Sequence, residues 1–194
     1  MELKLERQTR NSICRSDAHA PRLILRSNLF TRCQMRKLSW DEIERPEPED
    51  VKKLPKHPIR VMVHNVRSIH NVGSIFRTSD AARVEHVYLT GFTGTPEHKD
   101  LHKTALGAQD AVDWSQHDNP LPVLDALREQ GFTIAVLEQT SESTPPHEVP
   151  SEVYPLCLVV GNEVRGVDDE LVQEADLGLE LPQYGAKISM NVGV

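Results

Sequence analysis

From residue 59 to the end of the chain, short apolar runs alternate with amphipathic stretches, and this alternation most restricts what the chain can fold into. Residues 59–64, 86–90, 132–137 and 156–160 read as strands: they are rich in β-branched and large apolar residues and too short for buried helices. Between them, Asn71 is placed to cap a helix that carries Val72, Ile75 and Phe76 at helical spacing. A second helix spans 121–130 and stops at Gly131, and a third spans 167–175, opened by the carboxylates of Asp168 and Asp169. Strands separated by helices in this way pair in parallel, so the expected fold class is α/β, a parallel sheet flanked by helices on both faces. Ligands of such sheets bind beyond the carboxyl ends of the strands, which directs attention to the segments that follow them.

The 194-residue length allows one domain with an appendage. No apolar run approaches the ~20 residues of a membrane crossing, so no membrane partner is expected. Cys14, Cys33 and Cys157 are too far apart for a disulfide framework or a metal pair, and a reducing, cytoplasmic setting is expected, with no metal. His98 and His102 stand four apart but have no further ligand-type residues in a metal-binding pattern. Charge divides the chain sharply. Residues 1–39 hold nine Lys/Arg against three Asp/Glu, whereas residues 40–194 hold thirteen against twenty-six. The first part reads either as a flexible basic arm or, because Met35 opens a segment that looks like a natural start with a short amphipathic helix, as an upstream extension over 1–34. Four prolines between Glu44 and Pro58 make that stretch a linker unable to hold a helix ladder. The expected domains are therefore 1–58, an arm with a short helix and linker, and 59–194, a single α/β domain.

Three post-strand segments look unlike plain connectors. Segment 65–80 is a polar loop feeding a helix that carries Arg77, which can anchor a phosphate or oxyanion; the alternative is a surface arginine paired with Asp80 or Asp110. Segment 160–166 has glycines at Gly161 and Gly166, suited to bringing main-chain groups against a flat heterocycle, or merely to a tight turn. A side chain at Gly161 is expected to block a ligand while leaving the fold intact. Segment 181–194 places Ser189 and Asn191 where a helix should begin, either as caps or as functional groups. Neither a Walker-type phosphate loop nor a dinucleotide fingerprint is present.

Taken together, residues 71–80 (Asn71-Val-Gly-Ser-Ile-Phe-Arg-Thr-Ser-Asp80), 158–167 (Leu158-Val-Val-Gly-Asn-Glu-Val-Arg-Gly-Val167) and 181–192 (Leu181-Pro-Gln-Tyr-Gly-Ala-Lys-Ile-Ser-Met-Asn-Val192) resemble, in order, the three motifs of the SpoU/TrmH branch of the SPOUT RNA methyltransferases. The resemblance covers roughly residues 59–194. It implies an S-adenosyl-L-methionine-dependent RNA 2′-O-ribose methyltransferase with a C-terminal deep trefoil knot, a cytoplasmic homodimer whose RNA substrate is tRNA (at a guanosine ribose) or else rRNA. Motif three departs from the family at Met190 and Gly193, and the family's long final helix would follow Val194, so the expected knot and donor site are incomplete at the C-terminus. By position, the resemblance implies catalytic roles for Asn71, Arg77, Glu163, Ser189 and Asn191, and donor contacts from Gly161, Asn162, Leu181 and Met190. The family's proposed base falls at Arg77, yet a guanidinium with a pKa above ~12 is a poor base, so Arg77 is read as an anchor and proton removal is left to a neighbouring group or water. The acidic balance of 40–194 is awkward for RNA, and a local rim drawn from Arg67, Arg77, Lys99, Lys103, Arg165 and Lys187 is expected to offset it. The competing readings are a non-catalytic RNA-binding protein with this fold and a small-molecule methyltransferase.

Overall fold

The computed structural model describes residues 36–43 and 46–194. The expected arm, the Met35 start, Cys14 and Cys33 lie outside the described residues. Residues up to 44 form a unit separate from residues 45–194. In the first, a three-residue 3-10 turn runs from Trp40 to Glu42 where a short amphipathic helix was expected. Glu42 closes it locally, accepting hydrogen bonds from Arg36 Nη1 (2.9 Å), the Ser39 N–H (2.9 Å) and the Ser39 hydroxyl (3.0 Å). The arginine and then the serine donors hold its carboxyl down at about 2.

In the second unit the linker is less plain than its prolines suggest. A single helical turn, α1 (Pro48–Val51), forms there, since proline is compatible with a first helical position, whose N–H has no partner anyway. The sheet then builds from β1 (His57–His64), β2 (Val84–Thr90), β3 (Trp114–His117), β4 (Thr133–Leu137), β5 (Ser143–Thr144), β6 (Leu156–Val160) and β7 (Leu177–Leu179). All seven pair in parallel in the order β3-β2-β1-β6-β4-β7-β5.

Both faces are covered, which is why β1 and β6 are apolar at successive positions. Val61 and Val63 of β1 face a core with Val72 and Phe76 of α2 (Ile69–Ala81), Leu101, and residues of two single-turn helices, α3 (His102–Ala105) and α4 (Ala108–Ala111). Met62, between them, turns the other way and packs with Leu124 and Leu127 of α5 (Leu121–Glu129) and Leu171 of α6 (Asp169–Gln173). Strand periodicity of two thus divides one run of residues between two cores.

Helix α2 starts earlier than expected. Its N-cap is Ser68, whose hydroxyl accepts the Asn71 N–H, so Asn71 sits inside the first turn with its side chain free for other contacts. The chain leaves β1 through α2 toward the β3 edge, and leaves β6 through α6 toward the β5 edge. The crevice between the carboxyl ends of β1 and β6 is therefore the topological switch point of the sheet.

Candidate functional site

A cleft of about 750 Å³ opens beyond the carboxyl ends of β4, β6 and β7. Its inner wall is apolar, from Leu137, Val160 and Leu179, each the last residue of its strand. Eight of the nine residues singled out from the sequence line it: Asn71, Gly161, Asn162, Glu163, Leu181, Ser189, Met190 and Asn191. These residues come from three segments far apart in the chain, and the fold alone brings them together.

Loop 161–167 is a tight hairpin. Asn162 and Gly166 exchange backbone hydrogen bonds (2.8 and 2.9 Å), and the Asn162 side chain accepts the N–H groups of Val164 (2.9 Å) and Arg165 (3.1 Å). Its amide nitrogen donates to the Asn65 carbonyl (2.8 Å), pinning the loop to the end of β1. Both polar atoms of the Asn162 side chain are thus committed within the protein, and they hold that loop's shape.

Gly161 is glycine for the same reason. A Cβ there would lie 2.3 Å from the Gly166 oxygen and 2.4 Å from the Val167 nitrogen. The expectation that a side chain at Gly161 would spare the fold is therefore corrected: the nearest obstruction is the protein's own backbone. Gly166, at φ +72, suits the left-handed backbone, and a Cβ there would also displace the Glu138 carboxylate. Glu138, which follows β4 and was not singled out from the sequence, accepts the Val167 N–H (2.9 Å) and the Gln139 N–H (2.9 Å), tying the loop to the next strand.

Glu163 at the hairpin apex reaches across the switch point to the N-terminus of α2. Its carboxylate accepts the N–H of Arg67 (2.9 Å), the N–H of Ser68 (2.8 Å) and the Asn71 amide (2.9 Å). Burial pushes its pKa up, but the hydrogen bonds from Arg67, Ser68, its own N–H and Asn71 outweigh that, and the carboxyl ends below its ordinary value. An anion so held at a helix N-terminus is a brace and a poor proton acceptor.

The C-terminal segment forms the opposite wall. Gln139 donates to the Ile188 carbonyl (2.7 Å), and Val192 packs against the α2 side of the core. No helix begins at Ser189 or Asn191. Asn191 instead closes a turn on itself, its side chain accepting the Gly193 N–H (3.1 Å) and its carbonyl the Val194 N–H (2.9 Å). The Ser189 side chain is exposed and has no hydrogen-bond partner among the described residues.

Arg77 is the ninth residue, and it does not line the cleft. It lies further along α2, exposed, and pairs with neither Asp80 nor Asp110.

A second polar cluster lies at the same end of β1. His64 Nδ1 is 2.8 Å from the Thr90 hydroxyl and Nε2 is 3.0 Å from Asp168, while Asn65, at φ +55, donates to Asp168 (3.1 Å) and accepts the Phe92 N–H (3.2 Å). This cluster ties the ends of β1 and β2 to the start of α6. His64 and Thr90 are buried, which is why it reads as scaffold.

Comparison with known proteins bears on these motifs. Over 134 residues the chain is 35% identical to the tRNA (guanosine(18)-2′-O)-methyltransferase of Aquifex aeolicus, a match covering 69% of this chain and 63% of the relative. It is 29% identical to the 23S rRNA (guanosine(2553)-2′-O)-methyltransferase RlmP of Bacillus subtilis, over 69% of this chain and 53% of that one. The chain thus spans about half to two thirds of the length of these relatives. Among solved structures, the A. aeolicus TrmH/SpoU tRNA modifying enzyme superposes with a TM-score of 0.67 at 30% identity, over 75% of each chain. An AdoMet-bound rRNA methyltransferase from Sinorhizobium meliloti, 24% identical over 74% of this chain and 55% of its own, shares the fold with a TM-score of 0.63. The sequence model described as the SpoU rRNA Methylase family matches residues 58–194, from the start of β1 through all three segments that build the cleft, and the chain belongs to that family.

Proposed function

We propose that this chain is an S-adenosyl-L-methionine-dependent RNA 2′-O-ribose methyltransferase, acting on tRNA, at a guanosine ribose, or else on rRNA. The observation that carries the proposal is the convergence of eight motif residues on one cleft beyond the carboxyl ends of β4, β6 and β7, next to the switch point between β1 and β6. The names of the Aquifex and Bacillus relatives, one a tRNA and one a 23S rRNA guanosine methyltransferase, support the reaction and the two RNA classes. The AdoMet-bound Sinorhizobium structure supports the donor.

The cleft suits such a donor: its volume lies within the ~300–1,000 Å³ of small-molecule sites, and an apolar wall is edged by main-chain groups. Gly161, Leu181 and Met190 would supply backbone and apolar contacts, on a loop whose form Asn162 holds. S-adenosyl-L-methionine supplies an electrophilic methyl group on a sulfonium. The protein must place a ribose hydroxyl in line with that methyl and exclude water, which is positioning work. Asn71, held by Glu163, and Ser189 and Asn191 on the facing wall are the polar groups able to orient the hydroxyl and stabilise developing negative charge. Proton removal falls to a neighbouring group or water, since Glu163 is held by three donors as a brace and Arg77 lies outside the cleft. Arg77, exposed and unpaired on α2, would anchor RNA phosphate outside the cleft.

The same proposal carries the remaining family expectations: a catalytic domain over 59–194 preceded by the arm and linker, a C-terminal trefoil knot, a homodimer and a cytoplasmic location. Among the described residues no helix is long and apolar enough to cross a membrane. Incubation with methyl-labelled donor and total tRNA or rRNA, followed by nucleoside mapping, tests the reading. A 2′-O-methylated guanosine is the expected product. Donor-independent RNA binding with no label transferred would instead mark a non-catalytic RNA-binding protein.

A further inference from the structure

A ribose 2′-hydroxyl within an RNA chain never travels alone. The neighbouring carbon carries the 3′-phosphodiester, so a site that draws the hydroxyl toward a methyl donor draws a full negative charge in beside it. Desolvating that charge without a partner is costly, and the cleft walls are otherwise unhelpful. Glu138, Glu163 and Glu180 line them, and the chain carries a formal net charge of −7.

Arg165 is the single Lys or Arg among the residues that line the cleft. Its backbone N–H is fixed by the Asn162 side chain (3.1 Å), which sets the root of the side chain on the hairpin, and the residue is exposed. Its guanidinium has no hydrogen bond or ion pair with any described residue, in contrast to Arg60 and Arg128, which are held by Glu85 and Glu174. Two of the three cleft carboxylates are held elsewhere: Glu163 is bound by the N-terminus of α2 and Glu138 by Val167 and Gln139.

We infer that Arg165 is the phosphate-binding residue of the cleft, its guanidinium pairing with the 3′-phosphodiester of the nucleotide whose ribose is methylated. The inference rests on the proposed function and adds a substrate contact to it. A planar fork suits two phosphate oxygens, whereas an ammonium offers a point charge. The donor's own carboxylate is the other anion such a fork could take, and the two sources are separable.

The test crosses the protein with the RNA. Wild type, Arg165→Gln and Arg165→Lys are assayed on the RNA that the wild type methylates, made with either a normal linkage or a neutral methylphosphonate 3′ of the mapped nucleotide. On normal RNA, Arg165→Gln is expected to lower kcat/KM about 10- to 100-fold, the scale of a hydrogen-bonded charge, and Arg165→Lys to recover part of it. The methylphosphonate should cost the wild type a similar factor and Arg165→Gln less than about twofold more, because both changes remove one interaction. Donor affinity by calorimetry should be unchanged in both variants, and Lys53→Gln, just beyond α1, controls for lost net charge. Equal losses from the methylphosphonate in wild type and Arg165→Gln overturn the inference, as does a glutamine variant that weakens donor binding about tenfold while leaving the RNA dependence intact. If the wild type methylates no RNA at all, the proposed function itself fails, and this assignment falls with it. Thermal melting of both variants verifies folding, which is expected because the exposed side chain makes no hydrogen bond or ion pair with any described residue.

Discussion

Replacing Gly161 by alanine is the sharpest test of why the cleft loop has its shape. The new Cβ would approach the Gly166 oxygen and carbon and the Val167 nitrogen at 2.3–2.4 Å, all main-chain atoms. Ordinary contact begins near 3.4 Å, so the two strands of the hairpin must part by about 1 Å. That displacement strains the paired Asn162 and Gly166 backbone bonds and the Glu138 contact to Val167. Overpacking of this kind costs about 1–3 kcal/mol, and for a domain of this size each kcal/mol lowers Tm by roughly 2–4 °C. A fall of about 2–12 °C is expected by calorimetry or circular dichroism, together with weaker donor binding, because the Gly161 backbone forms part of the cleft. Gly185→Ala is the matched control: no atom lies within 4 Å of its Cβ and its φ is unremarkable, so Tm should hold or rise slightly. A Gly161→Ala protein that melts with the wild type while losing donor would refute the argument and restore the simpler view of Gly161 as open ligand space.

Glu163→Gln should flatten the acid side of the stability profile. The native carboxyl lies below its ordinary value, so its contribution is complete above about 4.5 and is lost as pH falls through the lower folded value; urea titrations at pH 7 and pH 3 should diverge in the wild type more than in the variant. Asn65 holds φ +55 as well as its side-chain bonds, so Asn65→Ala should be less stable than Asn65→Gly by about 1 kcal/mol in urea unfolding, and equal stabilities would show that the left-handed backbone is not the strained element. Cys157 is fully buried in β6 with its thiol pushed up to about 12 by burial, so a thiol reagent at pH 8 should label it only at the rate of unfolding, and fast labelling of the native protein would contradict the packing of the α5 and α6 face.

What could be read from the residues followed from burial. Strands β1 and β6, covered on both faces, carry apolar residues at successive positions, and the β6 bounds coincide with those read from the sequence. Strand β3 offers Trp114-Ser-Gln-His117 at a sheet edge, β5 is Ser143-Thr144, and β7 contains a glycine. None of them has a hydrophobic pattern to find, since neighbouring strands and register impose their conformation. The same division holds at the cleft. Residues inside the three motifs could be given roles, whereas Glu138, in a stretch 137–140 that also resembles the family, could not, because its bond to the Val167 N–H depends on a loop almost thirty residues away. Ser189 and Asn191 carry capping residue types, yet Asn191 uses its side chain for a two-residue turn, a local competition that propensity does not resolve.

The brace from Glu163 to the first turn of α2 also limits how members of such a family can exchange parts. A chimera that takes the α2 entrance from one protein and the hairpin from another is neutral only if a carboxylate still meets two main-chain N–H groups and an amide across the crevice. Moving one side alone strands either an anion without donors or helix N–H groups without an acceptor. Segments almost a hundred residues apart thereby behave as one structural unit, and a library that varies the α2 entrance should keep more folded members when the hairpin apex is randomised alongside it.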